Sequence, residues 1–121
     1  MVRCESPITG DKFKVKIYGD NKVFLSSVQT SKFKAALYGD NKLEIEEGNS
    51  EIQKYRSFGD NKIVARDYES PYVKTSNFGD SEFYVNASDV LVVTSFGDSE
   101  IRNIGRGYID KGIILGDYSI R

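Results

Sequence analysis

The chain has 121 residues, enough for one domain with a modest core, and its 17 basic and 18 acidic residues nearly cancel. That balance argues against nucleic acid or an anionic membrane as the main partner, and no apolar run approaches the ~20 residues of a membrane helix. With no histidine, Ser/His/Asp and Cys/His nucleophilic machinery and the commonest metal ligand are excluded, while the single Cys4 permits no internal disulfide.

Read from the start, Val2 to Ile8 is a strand, Thr9-Gly10-Asp11 a turn, and Lys12 opens the first full repeat. The unit Tyr18-Gly19-Asp20-Asn21-Lys22 returns as Tyr38 to Lys42, Phe58 to Lys62, Phe78 to Glu82 and Phe96 to Glu100, with a decayed copy at Leu115-Gly116-Asp117. The glycines lie 20, 20, 20, 18 and 19 residues apart, a period at which self-similarity marks a solenoid. Tyr, Phe, Val and Ile abound and no window has helical spacing, so the class is all-β.

Aligning the repeats on their glycines exposes matching apolar positions. Six and four residues before the glycine stand pairs such as Phe13 and Val15, Phe33 and Ala35, Val73 and Thr75, Leu91 and Val93. Four after it come Val23, Leu43, Ile63, Phe83 and Ile101, and six after come Leu25, Ile45, Ala65, Val85 and Asn103. Like residues at like positions are what stacked coils require, one rung of ~4.8 Å apart. The rival is a set of type II′ hairpins turning at each Gly-Asp. Hairpin register would pair Lys16 with Val23 and Arg56 with Ile63 on one face, mixing polar with apolar, so a single parallel β-helix of about six coils over residues 1–121 is the better reading. A bend just before each Gly-Asp is expected to keep the preceding aromatic inside. Turn-rich segments such as Ser26-Ser27, Gly48-Asn49-Ser50 and Ala87-Ser88-Asp89 lie halfway between the Gly-Asp pairs, and the shorter intervals should lose residues there.

Several rows then invite function. The turn residues Gly19, Asp20, Gly39, Asp40, Gly59, Asp60, Gly79, Asp80, Gly97, Asp98, Gly116 and Asp117 form a ladder that could present carboxylates to calcium. The favoured reading is structural: each aspartate accepts hydrogen bonds within its turn, the glycine supplies the unusual backbone angle, and no metal or other cofactor is expected. Lys14, Lys34, Lys54 and Lys74 form a basic stripe on which an anionic glycan or other polyanion could lie, against the default of a solvated face. A second basic row, Lys22, Lys42 and Lys62, gives way to Glu82 and Glu100 and runs two positions from the aspartates. The aromatic row Tyr18, Tyr38, Phe58, Phe78 and Phe96 reads as core stacking. Phe24, Val64 and Tyr84 each follow an inward position and so point out, forming an apolar stripe for a ligand, a second copy or a missing segment. Asp67 and Glu69 are the nearest thing to a glycosidase pair, in a chain too rich in carboxylates for the pairing to carry weight. No catalytic residues are assigned.

The Gly-Asp repeats, and above all the closing segment from Val92 through Phe96-Gly97-Asp98 and Ile101 to Gly105-Arg106-Gly107, resemble the head GIN domain of auto-transporter adhesins. An aromatic here takes the place of the family's Gly-Ser before Gly-Asp, and the leading turns carry Asn-Lys. The resemblance implies a single-stranded β-helix on the cell envelope or outside the cell, adhesin-like and non-enzymatic, presenting elongated faces to a surface glycan or protein. It brings no catalytic residues. A self-assembling scaffold is the alternative, pairing through coil ends such as Val2 to Ile8 and Ile113 to Ile120 or through the apolar stripe, and a polysaccharide-degrading β-helix enzyme is a third reading.

Overall fold

The computed structural model describes residues 2–115 and 118–120, with side chains over 3–110. Within them the secondary structure is strand alone, gathered into one sheet. The strands β1 (Val2–Cys4) and β2 (Ile8–Gly19) form the first coil, and β3 (Lys22–Gly39), β4 (Lys42–Gly59), β5 (Asn61–Phe78) and β6 (Ser81–Phe96) each run most of one coil. After them come β7 (Ser99–Asn103), β8 (Tyr108–Leu115) and β9 (Tyr118–Ile120). Every pairing is parallel: Phe13 lies beside Phe33, Lys34 beside Lys54, and Val73 beside Leu91. Parallel neighbours cannot be joined by a two-residue loop, so the hairpin alternative is removed. The stack is a β-solenoid of about 5 turns of ~20 residues, one fewer than the six expected. The decayed copy at Gly116 and Asp117 lies outside the described residues.

Within a coil, burial alternates as a strand dictates and loses phase twice before the Gly-Asp corner, at Ser26-Ser27 and at Ser31-Lys32 in β3. The chain turns at those points, so each coil encloses a core. Leu43, Ile63, Val73 and Leu91 are fully buried, each contributing about 1.5–3 kcal/mol. Phe13, Val15 and Asn103, also read as inward, are half-buried. One core column escaped the sequence reading: Ile17, Leu37, Ser57, Asn77 and Ser95, two residues before each glycine, are buried as well. The strand therefore runs straight on to the glycine. No bend restores the phase, and the aromatic just before the glycine is carried to the outer face: Tyr18 is 62% exposed, Phe78 42% and Phe96 40%. The aromatic row is stacked as expected but stands outside the core.

The Gly-Asp corner has two constraints. Gly39 and Gly59 have φ of 115° and 110°, and a Cβ on either would sit 2.5 Å from the carbonyl oxygen of the glycine one coil earlier. Only glycine meets both the backbone angle and the rung spacing. At the Gly39 and Gly59 corners the side-chain hydrogen bonds come from the residue after the aspartate. Asn41 donates Nδ2 to Tyr38 O at 3.1 Å, and its Oδ1 accepts from Asn21 N at 2.9 Å; Asn61 Oδ1 likewise accepts from Asn41 N at 2.9 Å. Asn41 and Asn61 are buried and reach back under the corner, whereas Asp40 and Asp60 point to solvent. Where Ser81 and Ser99 replace asparagine, the amide moves to the inward column: Asn77 Nδ2 donates to Gly79 O at 2.6 Å and Asp98 O at 3.1 Å.

The shortened repeat is absorbed just ahead of the expected bend. Val64 pairs with Tyr84 but Glu69 with Asn86, so three residues are lost between Tyr84 and Asn86; one is regained at Ser88-Asp89, where Tyr72 pairs with Val90. The next coil keeps the short bend, pairing Val85 with Asn103 and Val90 with Tyr108.

Candidate functional site

The wall that ends at the Gly-Asp corner has an outer face built by strict alternation. In β2, Phe13, Val15 and Ile17 turn inward, which sends Lys12, Lys14, Lys16 and Tyr18 outward. Stacking brings Lys14, Lys34, Lys54 and Lys74 into one column, as the sequence implied. It also adds flanking columns that sequence reading passed over, with Lys12 beside Lys32 on one side and Lys16, Ala36 and Arg56 on the other. Ile52, Tyr72 and Ser76 complete the four rungs, and no acidic residue stands on this face from Lys12 to Phe78. The signal was available: lysine recurs at alternate positions in Lys12-Phe13-Lys14-Val15-Lys16.

At the centre of the field the Lys34 ammonium is held below its ordinary range, chiefly by Lys54 and further by desolvation and by Lys14, Lys32 and Lys12. Ala36, the one small side chain among the lysines, leaves a shallow depression of about 210 Å³ edged by Lys14, Lys16, Lys34, Lys54, Tyr38 and Arg56. Beyond β5 the basic column ends, with Val92 beside Lys74 and Asp110 beside Val92.

The aromatic row borders this field. Consecutive rings from Tyr18 to Phe96 stack with centroids 4.8, 4.8, 4.9 and 5.2 Å apart and interplanar angles of 3° to 11°. Inner rings therefore spend their faces on one another and show solvent their edges. A sugar ring stacks on an aromatic face, so the row is a fastening along the axis and a poor sugar platform.

Phe24, Val64 and Tyr84 do share an outward column, but Glu44 sits between Phe24 and Val64. Arg3 covers Phe24 at 4.7 Å, and Arg66 and Lys62 cover Tyr84 at 4.7 and 5.5 Å. The expected apolar stripe is broken by charge and half-buried, because outward neighbours in the same column need not be alike.

The second concavity is an open groove of about 890 Å³ along the Gly-Asp corners. One lip carries Asp20, Asp40, Asp60, Asp80 and Asp98, the other Lys22, Lys42 and Lys62 followed by Glu82 and Glu100. The groove is acidic overall, and two of its lysines are paired: Lys62 meets Glu82 at 3.7 Å and Lys42 meets Glu44 at 4.0 Å. Among the described residues no three His, Cys, Asp or Glu side chains are placed to hold one metal ion.

Comparison with known proteins agrees with this architecture. No curated protein sequence matches the chain. A solved structure described as a putative adhesin from Parabacteroides distasonis superposes with a TM-score of 0.68 at 22% identity, over 98% of this chain and 58% of that one. This chain thus spans little more than half of that protein, and the likeness is one of fold. The family model described as "Putative auto-transporter adhesin, head GIN domain" matches residues 1–107, and the chain belongs to that family.

Proposed function

We propose that the chain is a non-enzymatic, adhesin-like module of the cell envelope or cell surface that presents long, regular faces to an extended glycan or protein. The observation that carries this reading is the column geometry. Outward positions stack in columns along one axis, and where a column keeps its residue, as Lys14, Lys34, Lys54 and Lys74 do, a polymer lying along the stack meets the same contact at each rung. The groove along the Gly-Asp corners is open rather than enclosed, which suits a strand passing over the molecule. Membership of an adhesin head family supports the surface location and the binding role.

Repetition gives the reading a quantitative signature. Affinity should climb with ligand length as successive rungs are engaged, then level off near the length of the stack, about 20 Å for five rungs. Immobilised glycan and matrix-protein panels, followed by titration with oligomers of increasing length, test this. A monomeric ligand bound as tightly as its polymer, or turnover of a bound polysaccharide into shorter products, would overturn it.

A further inference from the structure

We infer that the lysine wall is a binding site for an acidic polysaccharide strand, a uronate or sulfated glycan, with one anionic group seated in the depression over Ala36. This rests on the presentation reading above and names its ligand class. The field is two-dimensional. Cations recur along the axis at the rung spacing of ~4.8 Å and along each strand at ~6.7 Å, so Lys14 to Lys74 spans about 14 Å and Lys12 to Lys16 about 13 Å. Such a patch matches a few consecutive charged sugar units. Arg56 faces the depression from one rung and Lys16 from another, with Lys34 alongside, so an oxyanion in it meets a planar guanidinium fork and ammonium groups together.

Charge complementarity selects this occupant. The eight cations Lys12, Lys14, Lys16, Lys32, Lys34, Lys54, Arg56 and Lys74 share one wall of a chain whose net charge is −1, so the remaining surface is acidic. A wide polyanion such as duplex DNA would meet that acidic surface at the margins of the patch, whereas a single glycan strand is narrow enough to stay on it. A flat anionic lipid surface would, like duplex DNA, meet the acidic margins of the patch, and the bordering rings are fastened to one another edge-outward, so they offer little apolar face to add to the attraction.

The test uses polyuronate and heparin-type oligosaccharides titrated onto the folded chain, with duplex DNA and anionic phospholipid vesicles as competing probes. Replacing Lys14, Lys34, Lys54 and Lys74 together by Gln should weaken oligosaccharide binding on the order of 1,000-fold, at about a kilocalorie per mole for each of the four cations lost. It should also lower the slope of log affinity against log salt by about 3. Ala36→Leu fills the depression at unchanged charge and should weaken binding about tenfold, the loss of one or two charge-assisted contacts. Replacing Lys22, Lys42 and Lys62 by Gln removes cations from the other groove and should leave affinity within about twofold, since these side chains do not reach the ligand. Removing mutually repelling surface cations does not threaten the fold, and circular dichroism confirms that each variant is intact. Unchanged binding in the quadruple Gln variant would overturn the site. DNA or vesicles bound as tightly as the glycan, with the same sensitivity to these lysines, would overturn the ligand class. If neutral glycans or proteins bind and acidic glycans do not, this inference falls and the adhesin-like reading stands; silence on every panel removes both.

Discussion

Gly19 and Gly59 hold the same place in the same motif, with φ of 95° and 110°, and differ in what lies one coil earlier. A Cβ added at Gly59 would meet the Gly39 carbonyl oxygen at 2.5 Å and the Gly39 backbone again at 3.2 and 3.3 Å. At Gly19 the nearest atom would be Asn21 Nδ2, at 3.7 Å, which is ordinary contact. Gly19→Ala therefore carries backbone strain alone, about 1–3 kcal/mol. Gly59→Ala carries the same strain and must also push two hydrogen-bonded rungs apart in the middle of the stack, an overpacking cost of a further ~1–3 kcal/mol. With an unfolding entropy near 2.1 cal/mol/K per residue, each kilocalorie per mole moves Tm by about 4 °C in a chain of this length. The two variants should then differ by about 4–12 °C in thermal scans and by the matching ~1–3 kcal/mol in urea titrations. Equal destabilisation would refute the argument that close stacking, rather than turn conformation alone, demands glycine in this column.

The buried tyrosines should separate in the same assays. Tyr55 OH donates to Gln53 Oε1 at 2.6 Å, so Tyr55→Phe leaves a buried acceptor unpaired and should cost about 1–3 kcal/mol. Tyr68 OH is buried near the Ser50 and Thr30 hydroxyls without closing a hydrogen bond of normal geometry, so Tyr68→Phe should be neutral or stabilising by up to ~1 kcal/mol in urea titrations. Burial raises both phenols above their ordinary 10.0, well above for Tyr55; the native state holds those protons more tightly, so their contribution is intact below pH 10.0 and is lost as pH climbs beyond it. Unfolding free energy measured against pH should fall above that point, and the Tyr55→Phe, Tyr68→Phe double variant should flatten the fall. Lys34 has the opposite sign: its native value lies below 10.5, so repulsion burdens the fold at neutral pH and eases as pH rises toward 10.5. Lys34→Gln should raise Tm at low ionic strength, and the gain should vanish near 1 M salt, where screening acts within ~3 Å.

Legibility followed the physical demand on each position. The columns four and six residues from each glycine were readable because the core accepts little besides apolar groups there, as at Leu43, Ile63 and Leu91. The column of Ile17 and Leu37 was hidden by its later members, Ser57, Asn77 and Ser95, which are polar and give no core signal yet are buried and bonded to the residues of the corner: Ser99 Oγ donates to Ser95 Oγ at 3.1 Å, and Asn61 Nδ2 to Ser57 Oγ at 2.8 Å. Missing that column forced a false bend and placed the aromatics inside. The broken stripe of Phe24, Val64 and Tyr84 failed for the converse reason. Nothing requires outward neighbours to match, so Glu44 could enter the column unopposed.

That freedom makes the outer columns the place to look for function, and the two lysine columns show how to weigh them. Along the Gly-Asp groove the molecule neutralises its own cations, with Lys42 held against Glu44 and Lys62 against Glu82. On the adjoining wall Lys34 feels four other lysines, and no carboxylate stands on that face through four rungs to relieve it. Stacking alone would be better served there by the serine and threonine that occupy Ser76 and Thr94 in the next column, or by the valine that follows Lys74 at Val92. A fold able to pair its charges on one side leaves them unpaired on the other, so the missing anions are to be sought in something the chain binds.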